Sequence, residues 1–195
     1  MKKLFIAVCV AALSFVPARA DLVLSALNSA VVIDFESTLD QVNNGPFAAA
    51  GFQPTPTAGQ LDSDAWAVTG WSDGALAFGG TQTAGDYARG LDNNGGVTAG
   101  GMYSFTNSTT LSRTLGIQPG GSDWAPGTLT LRMTNQTGVT ITQLDIAYEV
   151  WVNNDQGRAS SFNFSHSADN SAYTAVGALD LTSTATLDAL GFQLH

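Results

Sequence analysis

Residues Gly127–Thr134, Gly-Thr-Leu-Thr-Leu-Arg-Met-Thr, alternate strictly between apolar and polar side chains. A period of two sets Leu129, Leu131 and Met133 on one face and Thr128, Thr130, Arg132 and Thr134 on the other, as in a half-buried β-strand. Asn135-Gln-Thr-Gly138 then reads as a tight loop, with Gly138 free to take a positive φ. Val139 and Ile141 continue the inward face of a returning strand. Past Thr142-Gln143 the apolar parity slips by one residue to Leu144, Ile146, Tyr148, Val150 and Val152, as at a β-bulge. Asn153–Gly157 predicts a second turn and Arg158–Ser167 its returning strand. With Val152 opposite Arg158, Tyr148 meets Phe162, Ile146 meets Phe164 and Leu144 meets His166 on one face.

Further strands are expected at Val31–Phe35, Ala65–Thr69, Leu76–Phe78, Gly101–Phe105, Leu111–Ile117 and Ala172–Leu181. Only Leu22–Ala30 and Thr184–Leu190 could form a turn or two of helix, and no repeat or heptad is visible. The 21 glycines supply the turns that many short strands need. The expected class is all-β: a two-sheet antiparallel β-sandwich, jelly-roll-like, with an all-antiparallel barrel as the alternative.

The N-terminus predicts export. Lys2 and Lys3 precede the apolar run Leu4–Val16, which is too short to span a bilayer, and Ala18-Arg-Ala20 offers a small-x-small cleavage site. Cys9 does not make a lipoprotein site, because Val8 is too bulky for the position before a lipidated cysteine. Leu187–His195 carries no anchor motif. The expectation is a signal peptide over 1–20 and a single domain over 21–195, secreted to the medium or periplasm, with no transmembrane segment in the mature chain. Removing Met1–Ala20 takes away both lysines and the lone cysteine, leaving four arginines against all 16 acids, a net charge of −12. Disulfides, thiolate metal sites and a phosphate-tracking nucleic-acid surface are thereby excluded. The sequons at Asn107, Asn135 and Asn163 matter only in a host that glycosylates, and the leader looks bacterial.

Several stretches carry a resemblance: Gln60–Trp66, Gly85-Asp-Tyr-Ala-Arg-Gly90, Gly100–Phe105, Gly116–Trp124, Pro126–Arg132 and Tyr148–Arg158. Together, over Val31–Thr182, they make the chain similar to a bacterial secreted β-sandwich module. That module is found alone, in proteins with sorting tails such as PEP-CTERM, and beside extracellular nuclease or phosphatase domains. The resemblance implies a fold and no catalytic residues. Family members run on through further strands, whereas here Leu179–Ser183 is soon followed by Gly191–His195. That departure implies a shortened sandwich with an open edge and part of its core exposed.

Four constellations bear on chemistry. Gly70-Trp-Ser-Asp-Gly74 matches the G-x-S-x-G pattern of a nucleophile elbow, with Asp145 or Asp155 and His166 downstream. The following Ala75–Thr83 does not read as the helix an elbow needs, and His166 is expected at the edge of the core. Asp145 and Glu149 share the outward face of one strand, ~13 Å apart at the usual rise, too far for a glycosidase pair. Asp62, Asp64 and Asp92 lie in oxygen-rich turns, the last in Asp92-Asn-Asn-Gly95, and are the candidate ligands of a structural calcium ion. Trp66, Trp71, Trp124 and Trp151 offer an aromatic surface that could stack on a sugar ring. Trp151 is on the polar parity of its strand beside Glu149 and Asp145, and burial over the end of the sandwich is the commoner role for each of the four. Arg89 in Asp86-Tyr-Ala-Arg89 reads as an ion-pair strut.

The functional expectation is an exported, non-catalytic module with a surface, matrix or adhesion role. A carbohydrate-binding module using Trp151, Glu149 and Asp145 is the first alternative, and a secreted hydrolase the second. A glycan or extracellular matrix is the expected partner, and nucleic acid is not, because acidic excess repels it.

Overall fold

A computed structural model describes residues 21–93, 96–106, 111–187 and 191–195. Residues 1–20, where a signal peptide is expected, Asn94 and Gly95 of the Asp92 turn, and the Asn107 sequon lie outside the described residues. No α-helix occurs among those described, only two short 3-10 turns, at Gly85–Tyr87 and Gly177–Leu179. The fold is all-β.

The longest ladder lies mid-chain. Strand β6 (Gly101–Thr106) is flanked by β5 (Leu91–Asp92), parallel to it, and β7 (Arg113–Gln118), antiparallel to it, with Tyr103 opposite Gly116. All of β6 but its last residue is buried, so both its faces are covered, and the buried Ser104 hydroxyl donates to the Phe47 carbonyl at 2.8 Å. Around it sit β2 (Phe52–Gln53) paired in parallel with β3 (Leu61–Asp62), and β4 (Trp66–Thr69) antiparallel to β8 (Thr128–Leu131). At the N-terminus β1 (Leu22–Leu24) runs parallel to β9 (Met133–Asn135). Five pairings among the described residues are antiparallel and three parallel.

The core lies where these elements meet. Val42, Phe47, Phe52, Leu61, Ala65, Trp66, Val68, Trp71, Leu76, Tyr87 and Met102 are buried together. Several of them come from loops. Phe52 meets Tyr87 edge-on with centroids 5.9 Å apart, and Tyr87 meets Trp71 at 6.5 Å. Such rings bury the largest apolar areas a side chain offers and dominate the packing energy.

Residues 136–195 are organised differently. Here β10 (Trp151–Val152) pairs with β15 (Gln193–Leu194), β11 (Ser161–Phe162) with β14 (Leu181–Thr182), and β12 (Ser165–His166) with β13 (Thr174–Ala175), all antiparallel. The Gly177–Leu179 turn sits between the last two ladders and absorbs a shift in register between them. Leu144, Tyr148, Phe162 and Tyr173 are exposed, and among the described residues of this stretch only Asn154 and Ser183 are buried.

Several expectations are corrected. Gly127–Thr134 does not form a hairpin with Val139–Val152. Its first half pairs with β4 and its second with β1, and no ladder runs through residues 141–150. The physical reason is competition: Trp66 and Val68 bring buried apolar surface to the same strand edge. The Val152–Arg158 hairpin is replaced by the Trp151–Leu194 pairing, although Tyr148 does meet Phe162, centroids 5.6 Å apart, and Phe164. Val31–Phe35 forms no strand, and Phe35 takes a positive φ. Leu76 contributes one bridge, to Val68, in place of a strand. Leu22–Leu24 is a strand where a helical turn was an alternative, and Thr184–Leu187 is not helical. His166 is exposed and does not border the core.

Candidate functional site

The densest gathering of polar side chains is where three loops converge: Gly70–Gly74, Gly85–Arg89 and Gly120–Trp124. Asp86, only 2% exposed, is its hub. Its Oδ1 accepts from Arg89 Nη2 at 2.6 Å, and its Oδ2 accepts from Ser72 Oγ at 3.0 Å and from the Asp73 amide at 3.1 Å. Asp73 reciprocates, its Oδ2 accepting from the Asp86 amide at 2.8 Å. Asp123 Oδ1 accepts from the Ser72 amide at 2.8 Å, which holds the Asp123 carboxyl below the usual carboxylate range. Arg89 also donates from Nε to the Gly100 carbonyl at 2.9 Å. The aromatic floor is Trp71 against Trp124, centroids 4.9 Å apart, and buried Tyr87, whose hydroxyl donates to the Gly74 carbonyl at 2.6 Å. Burial pushes the Tyr87 phenol up to about 12.

Close backbone approach builds this hub. Gly70 has φ +96°, and a Cβ there would stand 2.4 Å from the Gly127 Cα. At Gly85 a Cβ would fall 1.8 Å from Asp73 Oδ2. Gly70 of the G-x-S-x-G match therefore serves close packing on a neighbouring loop, and Gly74, with φ +100° and open space around it, serves the turn itself. Leu76 then bridges back to Val68, so the segment is a β-turn connection and no helix follows. The Ser72 hydroxyl is committed to a carboxylate. His166, on the exposed β12, is hydrogen-bonded in a ladder opposite Thr174.

A second polar cluster ties the N-terminal strand. Asp21 Oδ1 receives Arg132 Nε at 2.7 Å and Nη2 at 2.6 Å, and its Oδ2 receives Thr134 Oγ1 at 2.6 Å. Arg132 also donates to the Asp64 carbonyl at 2.6 Å and lies 4.3 Å from the centroid of the Phe78 ring. Buried Asp62 sits nearby, with Oδ1 accepting from the Asp64 amide at 2.9 Å. Desolvation, reinforced by the charges of Asp64 and Asp21, pushes the Asp62 carboxyl up to about 6.

The candidate calcium ligands divide. Asp62 and Asp64 are neighbours, while Asp92 lies in β5 and acts electrostatically on Tyr103. Among the described residues no three His, Cys, Asp or Glu side chains gather as a metal site. Asp145 and Glu149 are exposed and Trp151 is half-buried, with its Nε1 donating to Glu149 Oε2 at 3.4 Å. Asp145 accepts instead from Gln143. Trp66 and Trp71 are buried and Trp124 half-buried, which agrees with their expected packing role. Arg89 is the strut that was expected.

Asp73, Asp86 and Asp123 leave no pattern as a set in the sequence, because their partners stand 13, 14 and 51 positions apart. The only available sign was that Gly85–Gly90 and Gly116–Trp124 are glycine-flanked and each carry an Asp beside an aromatic residue. No protein-family model, no curated protein and no solved structure matches this chain. No helix among the described residues is long and apolar enough to cross a membrane.

Proposed function

We propose that this chain is an exported, non-catalytic β-sandwich module of the bacterial secreted kind, acting in surface structure, matrix attachment or adhesion. One observation carries the proposal: the charged and hydroxyl side chains of the convergent loops are spent on one another, the buried Trp71 Nε1 alone of the polar groups described there lacking a partner. Ser72, Asp73, Asp86, Asp123 and Arg89 are satisfied by each other and by local amides, as a structural fastening requires. A reaction centre instead keeps a nucleophile or base directed at substrate. The contact face then lies in the second half, where Tyr148 and Phe162 pack edge-on yet stay exposed. Aromatic side chains of this kind supply contact area at low entropic cost.

The purified chain from Asp21 is expected to co-sediment with surface material of the cells that export it. Joint substitution Tyr148→Ser and Phe162→Ser should abolish that retention, and Ser72→Ala should not alter it. Hydrolytic turnover lost in Ser72→Ala would overturn the proposal. A carbohydrate-binding role is favoured by the Trp151–Glu149 contact, which sets an indole and a carboxylate side by side. Retention competed by soluble glycans and lost in Trp151→Ala would select that second reading.

A further inference from the structure

From Thr140 to Glu149 no backbone N–H or C=O is hydrogen-bonded among the described residues. The chain is tied on either side of this stretch. Asn135 Nδ2 donates to the Val139 carbonyl at 2.8 Å, the His195 amide donates to the Val150 carbonyl at 3.0 Å, and Trp151 enters the ladder with Leu194. None of the residues in between takes a positive φ. The stretch keeps its alternation: Leu144, Ile146, Tyr148 and Val150 are of one parity, and Gln143, Asp145 and Glu149 of the other. Tyr148 packs on Phe162 and Phe164, centroids 5.6 Å and 6.0 Å away, while Leu144 and Tyr148 stay exposed. Asp145 accepts from Gln143 and Glu149 from Trp151, both neutral donors, and neither carboxylate has a cation against it among the described residues.

A length of chain with strand alternation and an unpaired backbone is a template for another strand. Because both of its ends are already held, less ordering cost falls on the pairing. Charge decides which strand can join. Residues 136–195 carry six acids, one arginine and no lysine. A second copy is opposed. The antiparallel self-pairing that aligns both apolar rows centres on Ala147 and sets Asp145 opposite Glu149 twice, and like charges directly opposite destabilise a ladder. The net charge of −12 on each chain from Asp21 adds repulsion before contact. We propose that Gln143–Val150 is an open edge to which a cationic, extended peptide segment adds as a further strand. Its lysines or arginines stand beside Asp145 and Glu149, and its alternate apolar side chains cover Leu144 and Tyr148. Over Gln143–Val150 the added strand spans about 26 Å at the usual rise. Backbone bonds supply the affinity, and the two rows of side chains supply the selection. This inference names the partner of the contact face proposed above and rests on that reading.

The test titrates the chain from Asp21 with an eight-residue peptide alternating valine and lysine, blocked at both ends. Two controls accompany it: its valine–glutamate counterpart, and the valine–lysine peptide N-methylated at every amide, which keeps charge and apolar content but offers no donor. The lysine peptide should bind and the glutamate peptide should not, and N-methylation should weaken binding at least about ten-fold. Bound peptide should slow amide exchange across Gln143–Val150 by about ten-fold or more and leave Met102–Phe105 unchanged. Joint substitution Asp145→Asn and Glu149→Gln should weaken binding about five-fold with the melting temperature unchanged. No binding of the lysine peptide, equal binding of its N-methylated form, or no gain in protection at Gln143–Val150 would overturn strand addition. Retention on cell surfaces that still needs Tyr148 and Phe162 would then leave the contact face standing. Self-association of the chain that the lysine peptide does not displace would give the edge to a second copy and overturn the proposal. Retention indifferent to Tyr148→Ser and Phe162→Ser would overturn the contact-face reading, while peptide binding reports on the edge alone.

Discussion

Replacing Asp86 by alanine is expected to lower the stability of the chain by roughly 3 kcal/mol, enough to drop the melting temperature by about 10 °C. The carboxylate is 2% exposed and serves three donors. Its removal turns the Asp73 amide and the Ser72 hydroxyl, both on exposed residues, over to water and takes the partner from a guanidinium that is only one-third exposed. Breaking a buried ion pair by removing one partner costs about 3–5 kcal/mol, and the exposure of Arg89, Ser72 and Asp73 holds the total at the low end of that range. Ser72→Ala removes a single donor and should cost only about 1 kcal/mol. The contrast matters. If Ser72 were a nucleophile, its loss would abolish activity with little effect on stability, whereas a fastening serine gives a small stability loss and nothing else. Thermal unfolding followed by circular dichroism checks both variants, and an Asp86→Ala change below about 1 kcal/mol would refute the hub.

Asp62→Asn is expected to stabilise the chain at neutral pH and to remove a pH dependence. A carboxyl raised to about 6 in the fold holds its proton to higher pH than it does in the unfolded chain. The folded state therefore binds more protons between the two values, and stability falls as pH rises across that window. The penalty is absent below pH ~4, grows through about 6 and is complete near pH 8, where it reaches roughly 2–3 kcal/mol. Asparagine keeps an oxygen for the Asp64 amide while shedding the buried charge. The difference in melting temperature between the variant and the parent should be near zero at pH 4 and rise by several degrees by pH 8. Asp34 and Asp123 are shifted downward by hydrogen bonds to amides, so their contribution is lost only in stronger acid, and it cancels in the difference between variant and parent.

The two halves of the fold were unequally legible in the sequence. Ala65–Thr69, Gly101–Phe105 and Leu111–Ile117 could be read as strands, the first beginning at Trp66 and the last only at Arg113, because contiguous apolar or alternating residues mark a strand whatever it pairs with. Thr128–Leu131 was legible as a strand but not in its partner. Alternation reports which face is buried, and Trp66–Thr69, far away in sequence, supplies the apolar surface that decides the pairing. Val42 and Phe47 gave no warning because they enter the core from loops, and Phe52 and Tyr87 because a two-residue strand and a single 3-10 turn are too short to show a period. The strongest alternation, Leu144 to Val152, lies instead in a stretch where only Trp151 and Val152 join a ladder. Period two is necessary for a half-buried strand and does not supply the second layer that buries it.

The candidate site was legible in pieces. Gly70–Gly74 stood out as a motif, and Arg89 as a strut. The assembly of Ser72, Asp73, Asp86 and Asp123 needed the close approach of loops that Gly70 and Gly85 permit. The aromatic and acidic residues chosen for ligand binding remain on the surface, where packing leaves Trp151 and Glu149 in contact.

The central claim is that polar fastenings and loop aromatics hold a core within the first two-thirds of the chain, while residues beyond about 136 present an exposed, weakly held face. Native-state amide hydrogen exchange measures this directly. The slowest amides should be those of Met102–Phe105, Leu115–Ile117 and Trp66–Val68, with Leu144–Val150 exchanging orders of magnitude faster. Protection of Leu144–Val150 equal to that of Met102–Phe105 would contradict the account.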